Sequence, residues 1–217
     1  MCAIFGTSNK EEINTLFEAN HDRGGFAVGS LCVMKNNEYA VKKQGGKEIE
    51  SLIPYPYSFA FNEKFVKYYM FHDQAPTSSV REFTISTSHP FQYGPWIVAH
   101  NGVLHDYKHL LEDHDCKVDS SYIPAMLARE TGFDEVTAIR NVCNLLHGTF
   151  SCWIFNAESG RIYLVKQGST LFCKNTSFSS VKLPDWESLT DGVIYEIKDS
   201  IECVGYFNSN NPFMVLI

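Results

Sequence analysis

Short runs of alternating apolar and polar residues dominate the first hundred positions of the chain and predict β-strands. The predicted strands cover residues 2–7, 26–34, 38–43, 65–71 and 96–99. The second and third of these form a predicted hairpin with Asn36-Asn37 at its turn. The last is expected to end at a turn made by His100-Asn101-Gly102, since Asn-Gly is a common turn dipeptide.

Apolar residues at helical spacing replace this alternation in the middle of the chain. Helices are predicted over residues 11–19, 107–112, 120–130 and 135–146. Pro124 is compatible with the third helix only near its beginning. Beyond Gly148 the strand period returns, over residues 149–155, 161–165, 171–174 and 193–197. Because runs of strands and runs of helices are segregated, the pattern favours an α+β layered fold over a doubly wound sheet.

Length and composition indicate one domain, residues 1–217, with 44% hydrophobic residues to form its core. The net charge is −7 and basic residues do not cluster, so we expect no nucleic-acid partner. No apolar stretch approaches the roughly 20 residues of a transmembrane helix, and no secretory signal precedes the first strand. We therefore expect no membrane association.

Seven cysteines, an odd number with no C-x-x-C pair, indicate neither a disulfide framework nor a zinc ribbon. A reduced, cytoplasmic protein with mostly buried thiols is expected. His105 and His109 have a spacing that could share a metal, but a polar surface helix is the favoured interpretation. We expect neither a metal nor a cofactor.

Cys2 is the strongest candidate for chemistry. If Met1 is removed, one residue carries both a thiol nucleophile and a free α-amine, whose ordinary pKa of roughly 7.7–8.0 suits a base near neutral pH. The alternative is an ordinary cysteine in a first strand.

The start Cys2-Ala3-Ile4-Phe5-Gly6 resembles the C-G-I-x-G start of class II glutamine amidotransferases, which are N-terminal nucleophile hydrolases. Further segments resemble that family's motifs in the same order: Arg23-Gly24 with Gly29, His72-Asp73-Gln74-Ala75-Pro76-Thr77, His89-Pro90-Phe91, His100-Asn101-Gly102, Val118-Asp119-Ser120 and Gly148-Thr149-Phe150-Ser151. The resemblance covers nearly the whole chain and implies a four-layer αββα sandwich. The chain also resembles standalone proteins of this family that are encoded by bacteriophages.

The resemblance implies a role for each matching residue. Cys2 would attack the substrate amide, with its α-amine as acid and base, while Asn101 and Gly102 would stabilise the oxyanion. Substrate binding would involve Gln74, Thr77, Asp119 and Arg23, with Asp119 on the α-ammonium group and Arg23 holding loops near the nucleophile. The alternatives are a simple Asn-Gly turn, a helix cap at Asp119 and a surface arginine at position 23.

Two positions depart from the family pattern. Gln74 stands where the family has an arginine that grips the α-carboxylate of glutamine, and Phe26 stands where an aspartate is usual. Three interpretations of Gln74 remain open: Arg81 supplies the charge, the substrate is another amide without a free carboxylate, or the site binds without turnover.

The resemblance implies an enzyme that hydrolyses L-glutamine to glutamate and ammonia through a thioester on Cys2. No synthase region follows the glutaminase-like segment, so a separate synthase subunit is the expected ammonia acceptor. An amidase acting on another amide and a non-catalytic binding subunit are the alternatives.

Overall fold

Two antiparallel sheets form the body of the protein. The computed structural model describes residues 2–45, 65–75, 84, 86–111, 113–114 and 118–209. In chain order its strands are β1 Ala3–Thr7, β2 Ala27–Met34, β3 Tyr39–Gly45, β4 Val66–Gln74, β5 Phe91–Tyr93, β6 Trp96–His105, β7 His147–Asn156, β8 Arg161–Gln167, β9 Phe172–Lys174, β10 Ser177–Ser179, β11 Glu187–Ser188, β12 Val193–Ile197 and β13 Ile201–Tyr206. The first sheet has the order β11-β9-β10-β1-β4-β2-β3 and the second β13-β12-β8-β7-β6-β5.

Three apolar clusters divide the molecule into layers. The central cluster joins the two sheets and includes Ile4, Met70 and Trp153. A second cluster covers the outer face of the first sheet beneath helix α1, Ile13–His21. The third covers the outer face of the second sheet beneath α2, Tyr122–Leu127, and α3, Glu135–Leu145. The layer order is therefore αββα, which confirms the predicted fold class.

The two longest helices follow directly from local sequence. In α1 the buried residues Ile13, Leu16 and Phe17 stand at helical spacing and lie on one face. In α3 the Asp134 side chain accepts a hydrogen bond from the Thr137 N–H at 3.0 Å, which caps the first turn. Both helices were predicted within about two residues of their observed bounds.

The two shorter predicted helices are shorter still in the structure. The segment predicted as a helix over residues 107–112 is a 3-10 turn at Tyr107–Leu110. The segment predicted over residues 120–130 begins as a 3-10 turn at Asp119–Ser121 and continues as α2, in which Pro124 is the third residue. A proline that early leaves the helix hydrogen bonds intact, as expected.

The prediction of a turn at His100-Asn101-Gly102 is wrong. These residues lie inside β6, where Asn101 pairs with Ser151 and Gly102 with Phe150 of β7. A Cβ atom at Gly102 would lie 2.0 Å from the Thr149 carbonyl oxygen, so glycine is required by the close approach of β7. β4 likewise continues beyond the predicted residue 71 and ends at Gln74.

Among the helices that the structure describes, none is long and apolar enough to cross a membrane. Four of the described cysteines are buried thiols, namely Cys2, Cys32, Cys143 and Cys152.

Candidate active site

Cys2 and Gln74 lie side by side at one end of the space between the sheets. The register of β1 with β4 pairs Ala3 with Asp73 and Ile4 with His72, so the next pair along the ladder is Cys2 with Gln74. Ile4 faces the central cluster, and Cys2, two residues earlier, faces the same side because side chains alternate along a strand. The Cys2 Sγ lies 3.6 Å from the Ala75 carbonyl oxygen. The thiol is thus buried near the end of β4.

Asn101 reaches the same space from the second sheet. Asn101 lies on β6, two residues beyond Ala99 and four residues beyond Ile97. Both of those residues belong to the central cluster, so the Asn101 side chain faces the same side of the strand. Its carbonyl oxygen accepts hydrogen bonds from the Ser151 and Ser169 hydroxyls at 3.4 and 3.3 Å. The amide side chain of Asn101 therefore extends from a residue whose backbone carbonyl is held by two serine hydroxyls.

Gly102 lies in the part of β6 that extends past the residues paired with β5. β5 pairs with Trp96, Ile97 and Val98 alone among the residues of β6. Further along, the Leu104 N–H donates to the Asp119 Oδ2 at 3.0 Å and therefore points away from β7. Since N–H groups alternate between the two edges of a strand, the Gly102 N–H points to that same edge.

Asp119 fastens this edge to α2. Its Oδ1 accepts hydrogen bonds from the N–H and the hydroxyl of Ser120, at 2.8 and 3.2 Å. The Ser120 hydroxyl in turn lies 2.9 Å from Nδ1 of His100. The 3-10 turn begins at Asp119 itself, with Val118 as its N-cap and no capping side chain, so the alternative of a helix cap at Asp119 is wrong. The bond to Leu104 places the carboxylate beside β6, two residues beyond Gly102. It is half-buried.

Ser180 ties the nucleophile strand to Asn101. Its hydroxyl accepts a hydrogen bond from the Ile4 N–H at 2.9 Å, and its own N–H donates to the Ile4 carbonyl at 2.9 Å. The same hydroxyl accepts from the Asn101 Nδ2 at 3.4 Å. Ser180 is fully buried. The position of Cys2 relative to Asn101 therefore depends on this side chain.

Arg23 binds to the other side of Ser180. Its Nη1 donates to the Ser180 carbonyl at 2.9 Å and to the Thr170 hydroxyl at 3.0 Å. Burial lowers the pKa of Arg23, and charge on the Cys2 thiol acts in the opposite direction. The guanidinium therefore lies within electrostatic reach of Cys2 while it holds two loop segments together.

We expect Ser180→Ala to reduce catalysis through misplacement of Asn101 and β1. The variant loses the acceptor of a buried N–H, which costs about 1–3 kcal/mol of folding stability. Ser177→Ala is the matched control, because Ser177 is buried in β10 and its hydroxyl is hydrogen-bonded with Thr7 and Glu12, at 2.8 and 2.6 Å. Both variants should lose stability in urea titrations, whereas Ser180→Ala alone should lower kcat, by roughly ten- to a hundredfold. Equal kcat values for the two variants would contradict this role.

Asp73 holds the segment that carries Arg23. This residue is fully buried on the α1 side of β4, and its Oδ1 accepts a hydrogen bond from the Gly25 N–H at 2.7 Å. Its Oδ2 lies 3.4 Å from Nδ1 of His21. A Cβ atom at Gly24 would lie 2.1 Å from the carboxylate, so this contact requires glycine. Phe26 stands where the resembled family usually has an aspartate. In this chain the carboxylate that binds the segment around Gly25 is that of Asp73, on β4.

Burial raises the pKa of Asp73, and the bonds from Gly25 and His21 offset that rise in part. A carboxyl group whose pKa is higher in the folded state contributes stability below its unfolded pKa and loses it as pH rises through its folded pKa. Asp73→Asn should therefore gain stability relative to the parent as pH increases from about 4 to 8. Urea unfolding across this range measures the difference. A pH-independent difference, or a relative loss at high pH, would contradict the prediction.

Two histidines connect the sheets near this site. The His72 Nε2 lies 3.1 Å from the His100 carbonyl oxygen, so a residue of β4 bonds directly to β6. The His72 ring stacks on His89, with centroids 3.8 Å apart. Two side chains, His72 and His89, and the backbone carbonyl of His100 therefore bring three of the predicted motifs together beside Gln74.

The structure brings Cys2, Gln74, Asn101 and Arg23 together, and it places Asp119 in the 3-10 turn before α2, where its carboxylate bonds to Leu104 of the strand that carries Asn101. Thr77 and Arg81 lie outside the described residues. No group of three or more potential metal ligands occurs in the described part of the chain.

Sequence reasoning missed Ser180 and Asp73. Ser180 lies in a serine-rich segment without a recognisable motif. A charged residue after the apolar run of β4 was the available signal for Asp73, since a carboxylate in such a strand needs a buried partner.

Two solved structures that are similar to this chain are those of glutamine amidotransferases. The glutamine phosphoribosylpyrophosphate amidotransferase of B. subtilis matches with a TM-score of 0.70 and 16% identity, over 97% of this chain and 50% of that chain. A predicted glutamine amidotransferase from Pseudomonas aeruginosa matches with a TM-score of 0.54 and 11% identity, over 94% and 95% of the two chains. The chain therefore has the fold of the N-terminal nucleophile glutamine amidotransferases.

One curated protein resembles the chain in sequence. The 7-cyano-7-deazaguanine synthase of Saccharolobus solfataricus is 24% identical over 188 residues, which cover 79% of this chain and 40% of that protein. The chain thus spans less than half of this relative and half of the B. subtilis enzyme. No protein-family model matches the chain.

Proposed function

We propose that the protein hydrolyses the side-chain amide of L-glutamine and releases ammonia, with Cys2 as nucleophile after removal of Met1. The observation that carries the proposal is the shared contact through Ser180, which fixes the Cys2 strand and the Asn101 amide against each other. Acyl transfer needs a nucleophile and an oxyanion donor in one rigid frame, and these two residues supply them.

The proposed reaction has two steps. The Cys2 thiolate attacks the amide carbon, the C–N bond breaks, and the α-ammonium group of Cys2 gives its proton to the departing ammonia. Water, deprotonated by the same α-amine, then cleaves the thioester to give glutamate and the free thiol. In both steps the Asn101 amide and the Gly102 N–H stabilise the negative charge on the carbonyl oxygen.

In this proposal Gln74, Asp119 and Thr77 position the substrate. Arg23 stabilises the site through its hydrogen bonds to Thr170 and the Ser180 carbonyl. Asp119 retains lone pairs beyond the three hydrogen bonds it accepts, and these would receive the α-ammonium group of the substrate. A reducing compartment such as the cytoplasm keeps the Cys2 thiol free to react.

A separate synthase is the proposed ammonia acceptor. The name of the curated relative describes a product with a cyano group, and such a group requires a nitrogen donor. We propose that ammonia from this chain is used by an enzyme that forms a carbon–nitrogen bond of this kind. An increase in ammonia incorporation when such a synthase is added would support the pairing, and no increase would count against it.

Covalent labelling tests the nucleophile. Intact mass first establishes that Met1 is absent, and a glutamine-mimicking diazoketone is then added with and without excess glutamine. Peptide mapping should find the label on Cys2, with protection by glutamine, and none on the exposed Cys203. Retention of Met1, or labelling of Cys203 alone, would overturn the proposal.

A further inference from the structure

Gln74 has an environment that is unusual for an amide side chain. It is fully buried at the end of β4, and within the described residues neither its Oε1 nor its Nε2 has a hydrogen-bond partner. Buried amide groups are almost always hydrogen-bonded, because a lost bond to water is costly when nothing replaces it. This side chain is therefore prepared for a partner that the protein itself does not supply in the described region.

The direction of the Gln74 side chain identifies where that partner binds. His72, two residues earlier, points to the second sheet and contacts the His100 carbonyl, whereas Asp73 points to the opposite face and contacts Gly25. Gln74 therefore faces the space between the sheets, on the same side as His72. In the β1–β4 register it lies opposite Cys2. Cross-strand neighbours have Cβ atoms about 4.5–5.5 Å apart, so a group bound to Gln74 lies beside the thiol.

The chemistry of the Gln74 amide limits what that group can be. It offers two N–H donors and one carbonyl acceptor and carries no charge. A carboxylate can use only the donors, which leaves the buried carbonyl oxygen unpaired or facing an anion. A carboxamide or peptide group offers both an acceptor and a donor and satisfies the two ends of Gln74 at once.

Among the described residues, the charges near Gln74 agree with a neutral ligand. Asp73 precedes Gln74 directly and, when ionised, places a negative charge behind the site. Arg23 directs its Nη1 to the Ser180 carbonyl and to Thr170, on the first sheet's own loops. Within the described part of the chain, an anionic substrate group at Gln74 would be desolvated near Asp73 without a cation in direct contact with it.

We propose that Gln74 selects substrates in which the α-carboxyl group of glutamine is capped as an amide while its α-ammonium group stays free, such as a glutamine residue at the N-terminus of a peptide. This inference rests on the proposed function, since it assigns a substrate class to the same Cys2 site. Gln74 acts as the specificity-determining residue, through paired hydrogen bonds to the capping amide.

Two substrates distinguish the possibilities: free L-glutamine and its α-N-methylamide, which cannot release ammonia from the α end. Ammonia release and the acid product are measured for the unmodified protein after Met1 removal. The expected kcat/KM is about tenfold or more higher for the capped substrate, because a site built for a hydrogen-bonding group discriminates against ligands that leave it unpaired. A ratio near one, or a preference for free glutamine, would overturn the inference.

Gln74→Arg supplies a second measurement. It should reverse the preference, mainly through a lower KM for free glutamine, because arginine binds carboxylates through two charge-assisted bonds. A variant that folds and keeps the parental preference would also overturn the inference. If neither substrate releases ammonia with the parent protein and Cys2 resists the diazoketone, the proposed function itself fails. If glutamine is hydrolysed in preference to the capped substrate, the proposed function stands and the role of Gln74 does not.

Discussion

Cys2→Ala should abolish ammonia release. Removal of a catalytic nucleophile typically lowers kcat by roughly 10⁴- to 10⁶-fold, because no other group can form the covalent intermediate. The fold should persist, since alanine fits the small buried position at the start of β1 and leaves the pairing with β4 unchanged. Ammonia release under single-turnover conditions, with loss of the diazoketone label, measures the effect.

Cys203→Ala is the matched control for this substitution. Cys203 is an exposed thiol on β13, in the second sheet rather than the strand that carries Cys2. Full activity in Cys203→Ala together with loss in Cys2→Ala assigns the chemistry to the N-terminal thiol. Activity that survives in Cys2→Ala would show that another group attacks the amide, and the proposed mechanism would be wrong.

Asn101→Ala should give the second-largest loss. Removal of one oxyanion donor costs about 3–4 kcal/mol of transition-state stabilisation, or roughly a 10²- to 10³-fold lower kcat. KM should change little, because the donor acts on charge that develops during the reaction. Asn101→Asp, of nearly equal size, should lose at least as much, since a carboxylate repels an oxyanion. Steady-state kinetics on both variants separates the two constants.

Asn156→Ala controls for the structural cost of losing a buried amide. Asn156 ends β7 and accepts hydrogen bonds from the Glu158 and Ser159 N–H groups at 2.9 and 3.4 Å, at the opposite end of the strand from the site. We expect a loss of stability with normal kcat in Asn156→Ala. If the two alanine variants lose kcat equally, Asn101 has no special role in the transition state.

Much of the fold could be predicted from the chain. α1, α3 and the β2–β3 hairpin have strong local signals, namely apolar spacing, an N-cap and a turn dipeptide. The strands that were missed, such as β10 and β11, have three and two residues and contain serines, so no alternation can be detected in them. They exist because a neighbouring strand offers them hydrogen bonds.

For the candidate site too, some features could be predicted from the sequence and others could not. Cys2, Asn101 and Arg23 could be proposed as site residues because their segments follow one another in a recognisable order. The strand conformation of His100-Asn101-Gly102 could not be predicted, because Asn-Gly favours turns locally and only pairing with β7 reverses that preference. Ser180 could not be identified either, since its importance comes from contacts with Ile4 and Asn101 far away in the sequence.

The hydrogen bond between Ile4 and Ser180 also sets an order of events during biosynthesis. Its two residues are 176 positions apart, so at 5–20 residues per second they can meet only roughly 9–35 s after the N-terminus is made. β1 lies between β4 and β10 and lacks one neighbour throughout this time. The N-terminus is therefore accessible to an aminopeptidase before the first sheet closes around it. The removal of Met1 that the proposed function requires can therefore take place before the Cys2 strand is held against Asn101.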